Sequence, residues 1–229
     1  MSNEKTMTEK ESLELITTMI QKAKGSHFHE NGTSAILWGS VVGFCGIFSF
    51  LQYYFNFNVG INVWTLAFVA IIPQVYLTIQ EKKKQVVKTE GGMALDAVWT
   101  VYGISLFALV IYMNVVPSTS IKLLAEDGIE LLKKNTATGE ISAFKIFIPS
   151  VSSLLMIIYA FPTLVTGLSR KFKPMIYGAI ACYLFFIVSL FTSSTIDVLL
   201  NGLAGIGNWL IPGLILRDRY NKARQAQHV

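Results

Sequence analysis

Groups able to do acid–base, metal or nucleophilic chemistry are few and scattered in this sequence. The densest cluster is His27-Phe28-His29-Glu30, two imidazoles and a carboxylate within four residues. Positions i and i+2 do not face one another on a helix, and the remaining histidine, His228, stands at the far end of the chain. A stable metal site needs more ligands than these, so the cluster reads as a polar loop. Asp96, Lys145 and Asp197 fall at the ends of apolar runs, where they are expected to reach water. Deeper in the runs the polar groups are uncharged: Gln52, Gln74, Asn114, Asn201 and Asn208. Carboxamides donate and accept hydrogen bonds but do not carry protons from one partner to another. A proton relay at the centre of the runs is therefore not expected. Gln74 follows Pro73, and Asn208 lies four residues before Pro212. Proline lacks a backbone donor and leaves a carbonyl free, so Gln74 and Asn208 are the candidates to line a cavity. The same amides suit hydrogen bonds between helices, at about 0.6 kcal/mol each.

No glycine-rich nucleotide loop, zinc-protease helix or serine elbow is present. Gly91-Gly92 is too isolated to cradle a phosphate. The expectation is a protein that is not an enzyme, with no cofactor and no metal.

The elements that carry these residues follow from composition. Hydrophobic residues make up 52% and charged residues 14%, against about 25% charged in soluble domains. The apolar residues gather in runs near the ~20 residues that cross ~30 Å of hydrocarbon. Six such spans are expected, at 34–55, 63–79, 94–116, 142–168, 175–191 and 198–216. Three domains follow: a cytoplasmic segment 1–33, a transmembrane domain 34–216 and a basic tail 217–229. Fifteen of the 19 Lys and Arg residues fall on one side if the N-terminus is cytoplasmic. The positive-inside rule then places both termini in the cytoplasm. It also explains the net charge of +5 without a nucleic-acid partner. The first 33 residues lack the apolar core of a cleavable signal, so the first span is expected to direct insertion. Cys45 and Cys182 lie inside apolar runs, as small hydrophobes.

Thr8 to Glu11 fits a capping box, and Leu13, Ile16, Ile20 and Ala23 recur at helical spacing. This amphipathic helix either lies on the membrane surface or packs on a neighbouring subunit or on the cytoplasmic loops. Pro117 is expected to end the third span, and 118–140 to form an extracytoplasmic loop. Within that loop, two strands about Asp127-Gly128 would make a β-hairpin, with Thr138-Gly139-Glu140 a second turn signal and a short helix the alternative. Pro73, Pro162 and Pro212 should kink their helices. Gly39, Gly43, Gly103, Gly178, Gly202 and Gly205 are expected to allow close helix packing.

Gly39 to Pro73 and Gly178 to Pro212 both span 34 positions. Each copy has an aromatic-Gly start, an apolar run, a polar break and an Ile-Pro finish. A looser copy, lengthened by the 118–140 loop, runs from Tyr102-Gly103 to Phe161-Pro162. The fold class expected is all-α, with six transmembrane helices as three hairpin repeats about an axis along the membrane normal. In plan this is similar to the proton-gated urea channel and acetate-transporter families, whose sequence motifs are absent. A packed six-helix bundle accounts for the same features.

Glu11-Ser-Leu-Glu-Leu-Ile, Ile36-Leu-Trp-Gly, the stretch from Phe161-Pro through Arg170-Lys-Phe-Lys-Pro to Tyr177-Gly, and Leu210-Ile-Pro-Gly carry a further resemblance. On these the chain resembles a family of six-span bacterial inner-membrane proteins with no established activity. The resemblance implies topology and a bacterial inner-membrane location only. Two roles are compatible with all of this. One is a membrane-embedded sensor or accessory subunit, with the lipid bilayer and a cytoplasmic protein or second copy as partners. The other is a channel or transporter for a small uncharged solute.

Overall fold

The computed structural model describes residues 8, 10, 12–14, 17, 31–84, 90–144 and 150–226. Most of the amphipathic segment, including Glu11, Ile16 and Ile20, lies outside the described residues, as do His27, His29, Glu30, Lys145, Pro149 and His228. Lys10, 12–14 and Thr17 are helical.

Among the described residues, seven α-helices, a π-helical turn and one two-stranded hairpin follow from residue 31. Helix α1 is Thr33–Tyr54, α2 is Thr65–Lys84 and α3 is Glu90–Glu126. The strands are β1, Leu132–Lys134, and β2, Ile141–Ala143. Then come α4, Val151–Ser169, α5, Lys173–Ser189, and α6, Ser194–Gly205. A π-helical turn at Ile206–Leu210 joins α6 to α7, Ile211–Ala226. The fold is all-α apart from the hairpin. Among the described residues, four helical stretches are long and apolar enough to cross a membrane: α1, α3, α4 and the continuous rod Ser194–Ala226. Helix α2 has 20 residues but ends in Gln80 to Lys84, and α5 is shorter, at 17 residues.

The third helix departs from expectation. It does not stop at Pro117 but runs on to Glu126, so 118–126 is helix and not loop. Pro117 is tolerated inside the helix because its ring costs one backbone bond while later bonds resume. The terminator is Asp127-Gly128. Gly128 takes φ +74°, its N–H bonds to Ala125 O at 3.1 Å, and the Ile129 N–H reaches back to Leu124 O at 2.8 Å. That is a left-handed glycine cap, not a hairpin turn. The hairpin forms one signal later, with Lys133 opposite Ser142 and Asn135 Oδ1 accepting from Ala137 N at 2.9 Å within the turn. Ser142 therefore belongs to β2, and α4 starts only at Val151.

Side chains are distributed inside out. Exposed positions carry large apolar groups, Phe68, Ile72, Ile104, Phe107, Leu184 and Phe191 among them. The buried face of α4 is instead Ser152, Ser153, Met156, Tyr159, Ala160, Pro162, Thr163, Thr166 and Gly167. Water would drive the large apolar groups inward. Where the solvent is itself apolar that drive vanishes, and helices associate through small and hydrogen-bonding residues. The protein is a membrane protein by this pattern and by its four long apolar helices.

Helix α1 runs antiparallel to the rod, and glycines set the closeness. A Cβ on Gly39 would strike the backbone of Leu210, one on Gly43 the side chain of Ile206, and one on Gly46 the backbone of Gly202. Gly205 faces Val42 and Gly178 faces the Gly207 carbonyl in the same way. Gly103 differs from the other predicted packing glycines: among the described residues nothing stands within 4 Å of its Cβ direction. Of α3, only Leu95 is buried.

All six helical rods alternate in direction. At one end Gly32 meets Gly213, Gln74 bonds Ser34, Trp99 bonds Thr166, and the Arg219 guanidinium lies 5.1 Å from the Phe172 ring centre. At the other end Cys45 Sγ donates to Val63 O at 3.3 Å, and Ser150 bonds Asp197. The basic turn 170–173 and the basic tail thus share the end at which α1 begins.

Candidate functional site

The two predicted cavity residues occupy different places. Gln74 ties α2 to α1. It accepts from Trp38 Nε1 at 3.0 Å, and its Nε2 donates to Ser34 Oγ and Thr78 Oγ1, each at 3.2 Å. Asn208 lies fully buried in the π-helical turn. The two share no hydrogen-bond partner.

Pro212 accounts for the turn itself. It cannot donate to the carbonyl four residues back, which is that of Asn208. The backbone answers with a longer bond, Ile211 N–H to Ile206 O, and one extra residue enters the turn. Such turns recur at functional sites. Here it brings Asn208 and Trp209, consecutive residues, onto the same buried seam against α4.

That seam is the candidate site. Asp197, Asn201 and Asn208 follow one another along the rod, and all are buried. At the end where α1 begins, Thr166 Oγ1 accepts from Trp99 Nε1 at 3.0 Å and donates to Pro162 O at 2.7 Å. Next, Asn208 Nδ2 donates to Tyr159 O at 2.9 Å and to Thr163 Oγ1 at 3.0 Å. Thr163 Oγ1 also accepts from Trp209 Nε1 at 3.0 Å. The Tyr159 and Trp209 rings are 4.7 Å apart. In the middle, Asn201 is 0% exposed. It lies by Tyr159 without a hydrogen bond of normal geometry, and neither its Nδ2 nor its Oδ1 has a partner. Asn208 Oδ1 is unpartnered as well. At the opposite end Asp197, 1% exposed, accepts from Thr192 Oγ1 and shares a hydrogen bond with Ser150 Oγ, each at 2.5 Å.

From Ser150 to Thr166 the seam follows 16 positions of α4 and its cap, or ~24 Å at ~1.5 Å per residue. That is most of the hydrocarbon thickness. Its atoms offer hydrogen bonds and one carboxyl group, with no metal-ligand cluster among the described residues.

Asp197 corrects the sequence reading: it does not reach water. It lies one turn into α6, and two neighbouring elements cover it. The run Thr192-Ser-Ser-Thr had the composition of a helix start, which hinted at capping but not at enclosure. Asn201 was visible only as one polar residue in an apolar run. No protein family, no curated protein and no solved structure matches this chain.

Proposed function

We propose that the chain is a six-span bacterial inner-membrane protein with both termini cytoplasmic, and that its seam binds and passes a small uncharged solute. Counting α2 and α5 as short spans gives three hairpins: α1 with α2, α3 with α4, and α5 with the α6–α7 rod. The alternation of directions supports this count, because it gathers the basic segments at one end. The β-hairpin and the end of α3 are then extracytoplasmic. The resemblance to six-span bacterial inner-membrane proteins agrees with this reading.

The observation that carries the solute reading is the set of orphaned atoms on Asn201 and Asn208. A buried amide without partners costs roughly 1–3 kcal/mol per unmet group, and such groups are rare in folded proteins. A solute with both a donor and an acceptor satisfies an amide; a charged one finds no counter-charge beside Asn201. The test is uptake of small amides and polyols into proteoliposomes, wild type against Asn201→Leu. Flux above empty liposomes that falls in the variant is expected. Equal flux in wild-type, variant and empty vesicles would remove the reading.

A second reading is a sensor or accessory subunit, held to a cytoplasmic partner or a second copy by the N-terminal helix. It is favoured by Leu13, an apolar residue 68% exposed on that helix. Deleting residues 1–30 should then leave the bundle folded and abolish one defined complex. An unchanged complex would remove it.

A further inference from the structure

We infer that Asp197 is a proton-binding site, holding its proton within the folded bundle and sharing it along a chain of three serine hydroxyls. The inference stands whether or not a solute enters the seam.

Hydrogens around Asp197 are one fewer than the contacts they must fill. Four contacts run in series: Asp197 Oδ2 with Ser150 Oγ at 2.5 Å, Ser150 Oγ with Ser153 Oγ, Ser153 Oγ with Ser189 Oγ at 2.6 Å, and Ser189 Oγ with Phe186 O at 2.6 Å. Each contact between two oxygens needs one hydrogen. A serine hydroxyl brings one hydrogen and accepts through its lone pairs. Ser150, Ser153 and Ser189 thus supply three hydrogens for four contacts. The final acceptor is a carbonyl, which brings none. An ionised Asp197 leaves one pair of oxygens facing each other through lone pairs, buried and away from water. A proton on Oδ2 closes the deficit. It donates to Ser150, Ser150 to Ser153, Ser153 to Ser189, and Ser189 to Phe186 O. Thr192 Oγ1 has one hydrogen for Asp197 Oδ1 at 2.5 Å and Val188 O at 3.4 Å; the shorter contact takes it, which leaves the proton to Oδ2.

Charge points the same way. Between 33 and 62, 150 and 169, and 174 and 216 the sequence holds no Lys, Arg, His or Glu, and no second Asp. The elements around Asp197 are α1, whose Gly46 abuts the Val198 carbonyl, the start of α4 at Ser150, and the turn at Thr192. Among the described residues none brings a titratable or charged group to the carboxyl. A carboxylate buried without a cation is costly in hydrocarbon, and a proton removes that charge where it stands. Ser150 is shaped for the chain. It adopts a left-handed backbone, φ 58°, which L-residues other than glycine seldom take. In that conformation its Oγ caps α4, accepting from Ser153 N at 3.3 Å, and still reaches Asp197.

The test is infrared spectroscopy of the full chain in liposomes at neutral pH, with aspartate labelled at the carboxyl carbon. The three other aspartates, Asp96, Asp127 and Asp218, are exposed. The expected result is a carboxylic-acid carbonyl band that shifts with the label and vanishes in Asp197→Asn. Ser189→Ala should move that band without removing it, because the chain is shortened beyond the carboxyl. Carboxylate bands alone in the wild type would overturn the inference. If Asp197→Asn fails to fold, the labelled wild-type band decides by itself.

Discussion

Replacing Thr163 by Val tests whether the seam is held by hydrogen bonds or merely by close packing. The change keeps the shape and removes one oxygen. That oxygen accepts from Asn208 Nδ2 and from Trp209 Nε1, each at 3.0 Å, and donates to Tyr159 O at 3.3 Å. The consequences differ by partner. Asn208 Nδ2 retains Tyr159 O at 2.9 Å, and Tyr159 O retains Asn208. Their two lost bonds cost about 0.6 kcal/mol each. Trp209 is 4% exposed and has no other hydrogen bond among the described residues, so its N–H is orphaned at a further cost of about 1–3 kcal/mol. The sum is about 2–4 kcal/mol. Equilibrium unfolding in mixed micelles, followed by circular dichroism so that tryptophan can be varied, reads it. In a Trp209→Phe background no indole N–H remains to be orphaned, and Thr163→Val should cost only about 1 kcal/mol, the two weaker bonds. The coupling between the two sites is then about 1–3 kcal/mol. A Thr163→Val cost below about 0.5 kcal/mol, or a strictly additive cycle, would refute the reasoning.

Asn201→Leu should raise stability by about 1–3 kcal/mol, since it replaces an unpartnered amide by an apolar group of similar size. Loss of flux in the same variant would show stability traded against function, and a destabilised Asn201→Leu would mean that the amide is satisfied after all. Gly46→Leu should destabilise by at least about 1–3 kcal/mol through overpacking against Gly202, whereas Gly103→Leu, with open space around it, should be neutral in the same unfolding assay. Cysteines placed at Thr138 and at Gln225, in a background lacking Cys45 and Cys182, should label from opposite sides of sealed vesicles. Labelling from one side would remove the six-span count.

Much of the helical layout was legible because long apolar runs between charged or polar breaks have one structural answer in lipid. The expected 34–55 and 175–191 runs lie close to Thr33–Tyr54 and Lys173–Ser189. Gly39, Gly43, Gly178, Gly202 and Gly205 stand at close contacts, as small residues at regular spacing suggest. Gly103 has the same local signature but no neighbour, because spacing says which face is bare and not whether anything meets it. The hairpin was misplaced by one turn signal: Asp127-Gly128 suits both a hairpin and a helix end, and only the helical bonds reaching it from Leu123 and Leu124 decide. The burial of Asp197 depends on Ser150, 47 positions away. No local pattern carries such a distance.

The π-helical turn at Ile206–Leu210 has a consequence for anyone reading this rod by substitution. A plain helical wheel puts Asp197, Asn201 and Asn208 within about 40° of one another, and all three are buried. The buried stripe runs on through the turn to Pro212, while Leu203, Ile211 and Leu214 look outward. A scan from Ser194 to Ala226 should therefore show one continuous periodicity, with the turn absorbed as a local slackening of the rod.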